Sequence, residues 1–193
     1  MTRIPYAEEG QEAKGATPVY EKLKSEFKMV PNLVKLVGHS GPATEVMGTL
    51  LDTYYNKLSL DPKIREVAYL TATHYNKCPY CTAHHSAAGK QAGLTDEQIS
   101  LTMEDGLTSD VFSEKEKAVI KYSWETTKDV AASDEAIEGL KKNFSLEEIS
   151  EIAFTVSMAN FIQRIGKNFG AEVEMQKIAD FLIYTTFLPT MIN

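Results

Sequence analysis

Asn76-Lys77-Cys78-Pro79-Tyr80-Cys81-Thr82-Ala83-His84-His85 ends one helix and begins another, and it holds the only two cysteines of the 193-residue chain. Asn76-Lys77 interrupts an apolar helical pattern, and Pro79 stands where a helix tolerates proline, in its first turn. The spacing predicts a helix from Pro79 to about Gln91, closed by Gly93. Cys78 then takes the N-cap, Cys81 the first turn, and His85 the next turn, so the three line one face. A Cys-x-x-Cys pair can close a disulfide or hold a metal, and with no other cysteine no second disulfide staples the chain. The partial positive charge of a helix N-terminus favours a thiolate. A histidine beside a thiol can take its proton and later return it. The N-cap position points to Cys78 as the more acidic thiol, whereas the spacing to His85 points to Cys81.

Working outward, Ser59-Leu60-Asp61-Pro62 opens the preceding helix, whose apolar face is Ile64, Val67, Ala68, Leu70 and Thr71. Glu66 lies among these residues. A carboxylate in a helical interface needs a partner, and His85 is within reach if the two helices pack antiparallel. Helical spacing recurs over 17–28 (Val19, Tyr20, Leu23, Phe27) and 43–57 (Val46, Met47, Leu50, Leu51, Tyr54). Thr95, Ser113, Ser133 and Ser145 stand as caps of further helices. A last helix is expected from about Ala171 to Phe187. Strand-like alternation is absent, so the expected class is all-α. The chain reads as a single domain over 1–193, with a Cys-x-x-Cys core at about 43–105 and a second helical half at about 113–188. An internal repeat supports two similar halves. Leu58-Ser59-Leu60-Asp61 with Arg65-Glu66-Val67-Ala68-Tyr69 resembles Phe144-Ser145-Leu146-Glu147 with Ser150-Glu151-Ile152-Ala153-Phe154, and Cys78 then corresponds to a position near Gln163.

A net charge of −7 and a pI near 5.2 argue against a nucleic-acid or membrane-surface partner. The N-terminus lacks the apolar core of a signal peptide. The longest apolar stretch, Ala179 to Leu188, contains Asp180 and is far short of the ~20 residues of a spanning helix. A cytoplasmic location is expected, where such a thiol pair is redox-active or metal-bound. Structural zinc wants four protein ligands, and beyond Cys78, Cys81, His84 and His85 the chain offers only His39 and His74 as further histidine or cysteine. No Gly-rich phosphate loop is present and no cofactor is expected. His84 reads as an exposed or packing residue, and Trp124, Tyr54 and Tyr55 read as core or interface residues. Glu147, Glu148 and Glu151 read as a solvated face, with Glu151 the counterpart of Glu66 in the repeat. The apolar C-terminal residues Phe181, Leu182, Ile183, Tyr184, Phe187 and Leu188 supply surface for a homo-oligomer.

Arg65-Glu66-Val67-Ala68, followed by Asn76, Cys78, Tyr80, Cys81 and His85, resembles the signature of the alkylhydroperoxidase D-like, carboxymuconolactone decarboxylase superfamily. The likeness covers about 58–100, and Ser113-Glu114-Lys115-Glu116-Lys117-Ala118 is similar to the family's helix start in its second part. The resemblance implies an all-α bundle that assembles into homo-oligomers and runs a thiol peroxidase or disulfide-reductase cycle. By that likeness Cys81 attacks a hydroperoxide and Cys78 resolves the product. His85 and Glu66 relay the proton, and a dithiol protein or small thiol restores the pair. The sequence departs from the best-studied peroxidase members at Tyr80, where they carry a histidine between the cysteines. Two other activities fit the same residues. One is a lactone decarboxylase working through His and Glu with idle cysteines. The other is a non-enzymatic redox sensor whose disulfide switches an interface.

Overall fold

The computed structural model describes residues 1–174, and all regular structure among them is helical. None of these helices is long and apolar enough to cross a membrane. The chain forms two compact units, one of Met1–Lys57 with the segment from Ile165 onward, the other of Leu58–Arg164. This division differs from the halves drawn at 43–105 and 113–188, because the Cys-x-x-Cys helix and the helices after residue 113 lie together in 58–164.

The first unit contains α1 (Thr17–Phe27), α2 (Asn32–Val37) and α3 (Gly41–Asn56). Pro18 sits in the first turn of α1, and Lys28 ends it in the left-handed region, ahead of Pro31. Tyr20, Leu23, Phe27, Val34, Met47 and Tyr54 form its buried interior. Val46, counted in the apolar stripe of α3, is exposed. Gly41 starts α3 where the backbone crosses Gly15, and a Cβ there would meet the Gly15 Cα at 2.9 Å.

The second unit carries the cysteines. Its helices are α4 (Pro62–Asn76), α5 (Pro79–Gln91), α6 (Asp96–Ser100), α7 (Glu114–Asp129), α8 (Asp134–Asn143) and α9 (Leu146–Phe169), which runs through Arg164 into the first unit. Each expected cap is used. Asp61 accepts from the Lys63 and Ile64 amides, Thr95 and Ser113 close reciprocal boxes with Gln98 and Glu116, and Ser133 accepts from Ala136. Such caps contribute ~1 kcal/mol each. Ser145 and Glu148 bond each other's backbone amides at the head of α9.

α4 packs against both α5 and α7. Its residues 66–73 are all buried, so it is enclosed on all sides rather than along the single face expected. Val67, Ala68 and Leu70 of α4 join Leu94, Phe112, Val119, Ile120, Leu140, Ile152 and Val156 in one apolar cluster. Burying a large aliphatic side chain stabilises by ~1.5–3 kcal/mol, and this enclosure holds α4 as a fixed wall for the site. Glu151 is not a simple solvated charge. Its carboxylate accepts from the amides of Ser59 (3.0 Å) and Leu60 (2.6 Å), tying α9 to the segment that leads into α4.

Val130 ends α7 at φ 68°, in the left-handed region, with 87% of its surface exposed. A β-branched residue is strained there, by roughly 1–2 kcal/mol, and at this exposure little packing offsets it. Val130→Gly is therefore expected to stabilise the fold by ~1 kcal/mol, read as a higher urea midpoint at unchanged slope. An unchanged or lower midpoint would show that the conformation is not costly.

Of the last helix expected over 171–187, residues 171–174 are non-helical and the remainder lies outside the described residues, as does the apolar segment 181–188.

Candidate active site

The turn between α4 and α5 is made by one residue in an uncommon conformation. Lys77 takes φ 51° and ψ 54°, closing α4 with its amide on the His74 and Thr73 carbonyls. The Cys78 amide then donates to the Thr73 carbonyl at 3.3 Å. Cys78 is extended and caps α5, Pro79 follows as the first helical residue, and the Cys78 carbonyl accepts from the Thr82 amide and hydroxyl. The chain thus doubles back, and α5 lies along α4.

That reversal brings Glu66 of α4 to His85 of α5. The His85 Nδ1 and the Glu66 Oε2 are 2.8 Å apart, with the two residues 6% and 2% exposed. A carboxylate only accepts, so Nδ1 carries a proton and donates it to Glu66, which leaves Nε2 as the nitrogen that can exchange a proton. Tyr69, one turn after Glu66, stacks on the imidazole with ring centroids 3.4 Å apart and planes 14° from parallel. Glu66 and Tyr69 therefore fix both the direction and the plane of the ring.

Cys78 and Cys81 are not joined by a disulfide and are 1% and 2% exposed. The Cys81 thiol is held well above the ordinary thiol range. The chief cause is its hydrogen bond to Cys78, followed by burial and by negative charge at Cys78. Cys78, at the helix N-terminus, is the place where α5 favours negative charge. A thiol held protonated needs a base before it can attack, and His85 lies one helical turn along α5 on the same face. The four residues singled out from the sequence, Glu66, Cys78, Cys81 and His85, all lie buried on the facing helices α4 and α5.

The other aromatic and histidine candidates have local partners. Tyr80, between the cysteines, is buried and its ring meets His84 at 4.5 Å. His74 Nδ1 lies 2.9 Å from the Thr102 hydroxyl, and His39 Nε2 lies 2.8 Å from the Pro5 carbonyl. Trp124 packs edge-on against Tyr75, and Tyr54 against Tyr55. Among the described residues no three His, Cys, Asp or Glu side chains gather as a metal-holding group.

Sequence reasoning missed the polar layer behind the turn. Thr73 and Asn76 of α4 meet Gln163 and Asn160 of α9, and Asn160 reaches Thr127 of α7. The signal was present as polar residues at helical spacing, Thr73 with Asn76 and Asn160 with Gln163, within otherwise apolar stretches.

Residues 44–122 match the model of the carboxymuconolactone decarboxylase family. A search of curated protein sequences finds no match. Among solved structures, a peroxidase-related protein from Ralstonia eutropha with an alkylhydroperoxidase AhpD core superposes with a TM-score of 0.76 at 17% identity, covering 95% of this chain and 96% of that one. The apo form of a debrominase superposes at 0.74 and 17% identity, covering 96% and 98%. A protein of unknown function from Agrobacterium tumefaciens, assigned to antioxidant defence as AhpD, superposes at 0.64 and 26% identity, covering 69% and 92%. Residues 44–122 are thus similar to the carboxymuconolactone decarboxylase family, and the chain shares the helical fold of these solved structures.

Proposed function

We propose that this chain reduces hydroperoxides through the Cys78–Cys81 dithiol, and the observation that carries the reading is the buried Glu66–His85 pair one helical turn beyond Cys81. His85 accepts the Cys81 proton, and the thiolate attacks the terminal peroxide oxygen. The O–O bond breaks, Cys81 becomes a sulfenic acid, and the proton on His85 neutralises the departing alkoxide to an alcohol. Cys78 displaces water from the sulfenic acid to give the disulfide, which stops further oxidation. A dithiol protein or small thiol then restores both thiols by exchange, itself becoming a disulfide. A reducing cytoplasm supplies such a reductant.

Turnover with a panel of hydroperoxides and dithiothreitol tests this. The expected result is catalytic peroxide loss that needs both cysteines. Lactone decarboxylation surviving in a protein with both cysteines replaced by serine would make the acid–base pair the machinery instead. A disulfide that forms once without turnover would indicate a sensor. The chain is expected to work as a homo-oligomer, sedimenting well above its 21.5 kDa chain mass; a monomer at micromolar concentration would refute that.

A further inference from the structure

We propose that Gln163 is a positioning residue for Cys78, acting through Thr73 and Asn76; the proposal rests on the redox role given above to the cysteine pair. Gln163 is buried on α9, where a side-chain amide persists only when both its ends are bonded. Its Nε2 donates to the Thr73 Oγ1 at 2.7 Å, and its Oε1 accepts from the Asn76 Nδ2 at 2.6 Å. One amide therefore spans the last turn of α4. That turn is the seat of Cys78. The Thr73 carbonyl receives the amides of both Lys77 and Cys78, and Asn76 is the final helical residue before the left-handed Lys77.

The clamp is anchored at a second point. Asn76 Nδ2 also donates to the Asn160 Oδ1 at 2.9 Å, and the Asn160 amide donates to the Thr127 Oγ1 at 3.0 Å. Arg164 Nη1 holds the same Asn160 Oδ1 at 2.7 Å. The Thr73 hydroxyl in turn donates to the Tyr69 carbonyl, and Tyr69 is the residue stacked on His85. α9 and α7 thus hold the end of α4 by side-chain hydrogen bonds, and the backbone of that end sets where the Cys78 sulfur stands relative to Cys81.

Closing a disulfide depends on the effective concentration of one sulfur at the other. A seat that keeps Cys78 beside Cys81 favours the disulfide, and a loosened seat disfavours it. The test equilibrates the protein with mixtures of dithiothreitol and its cyclic disulfide. Two electrons and two protons pass from the protein dithiol to the cyclic disulfide, giving the protein disulfide and dithiothreitol. Gln163→Met, which keeps length and removes both hydrogen bonds, is expected to lower the equilibrium constant for disulfide formation about tenfold, equivalent to ~30 mV for this two-electron couple. Thr73→Val is expected to act in the same direction, and Thr73→Ser, which keeps the hydroxyl, to hold the wild-type constant.

A merely structural Gln163 would lower thermal stability and leave this constant within twofold of wild type, and that result overturns the proposal. If Gln163→Met does not fold, the contrast between Thr73→Val and Thr73→Ser decides, and equal constants for the two overturn it. A wild-type protein that forms no Cys78–Cys81 disulfide in the same mixtures overturns the redox reading itself, a failure distinct from an unresponsive Gln163 variant.

Discussion

Cys81→Ser is expected to abolish peroxide turnover, and Cys78→Ser to stop it after one oxidation. The two losses differ in kind. Without Cys81 no sulfur is served by the His85–Glu66 pair. Without Cys78 the Cys81 sulfenic acid forms and has no neighbour to condense with, so excess peroxide carries it to the sulfinic acid. Mass spectrometry of the Cys78→Ser protein is expected to show one added oxygen, then two. The same variant changes the pH dependence of alkylation. In the wild type, the Cys81 thiolate forms only above the ordinary thiol range, chiefly because of the hydrogen bond to Cys78. Its alkylation rate is therefore expected to rise with pH mainly at alkaline values. Cys78→Ser removes the sulfur partner and its charge but not the burial, so the rise is expected to move to lower pH. An unmoved profile, or turnover surviving in Cys81→Ser, would contradict the assigned roles.

Glu66→Gln and His85→Ala are each expected to slow oxidation of Cys81 by ~10²-fold or more, the usual scale for a positioned acid–base group. His85→Ala removes the proposed proton acceptor. Glu66→Gln keeps the shape but replaces an obligate acceptor by an amide that can turn either end to Nδ1, so the tautomer is no longer fixed. If the two act as the proposed unit, the double variant is little slower than either single one. The measurement is the second-order rate of Cys81 oxidation at matched helical content by circular dichroism. A wild-type rate in Glu66→Gln would make the carboxylate a buried structural partner only.

Much of this was legible in the residues. Helical spacing, the Ser, Thr and Asp caps, and Pro62 and Pro79 in first turns are local signals, and local signals place helices well. Glu66 was anomalous among Ile64, Val67 and Leu70, and the antiparallel turn that supplies its partner follows from Asn76-Lys77 and Pro79. What escaped depends on contacts between distant segments. The stacking of Tyr69 on His85 requires knowing which side of α4 meets α5. Glu151 looked like one more charge on an acidic face because its partners, the Ser59 and Leu60 amides, are brought to it only by the packing of α9. Gln163 carries no motif and gains meaning only beside Thr73 and Asn76. The enclosure of α4 was underestimated for the same reason. Its polar residues Glu66, Thr71 and Thr73 are buried with bonded side chains rather than turned to water.

A hydroperoxide is expected to convert the Cys78–Cys81 dithiol to a disulfide. This is tested most directly by adding one equivalent of cumene hydroperoxide to the fully reduced protein and digesting it under conditions that block thiol exchange. The expected result is that the peptide carrying both cysteines loses two hydrogens, that one thiol pair disappears per peroxide consumed, and that dithiothreitol reverses the change. Two intact thiols beside unconsumed peroxide would contradict it.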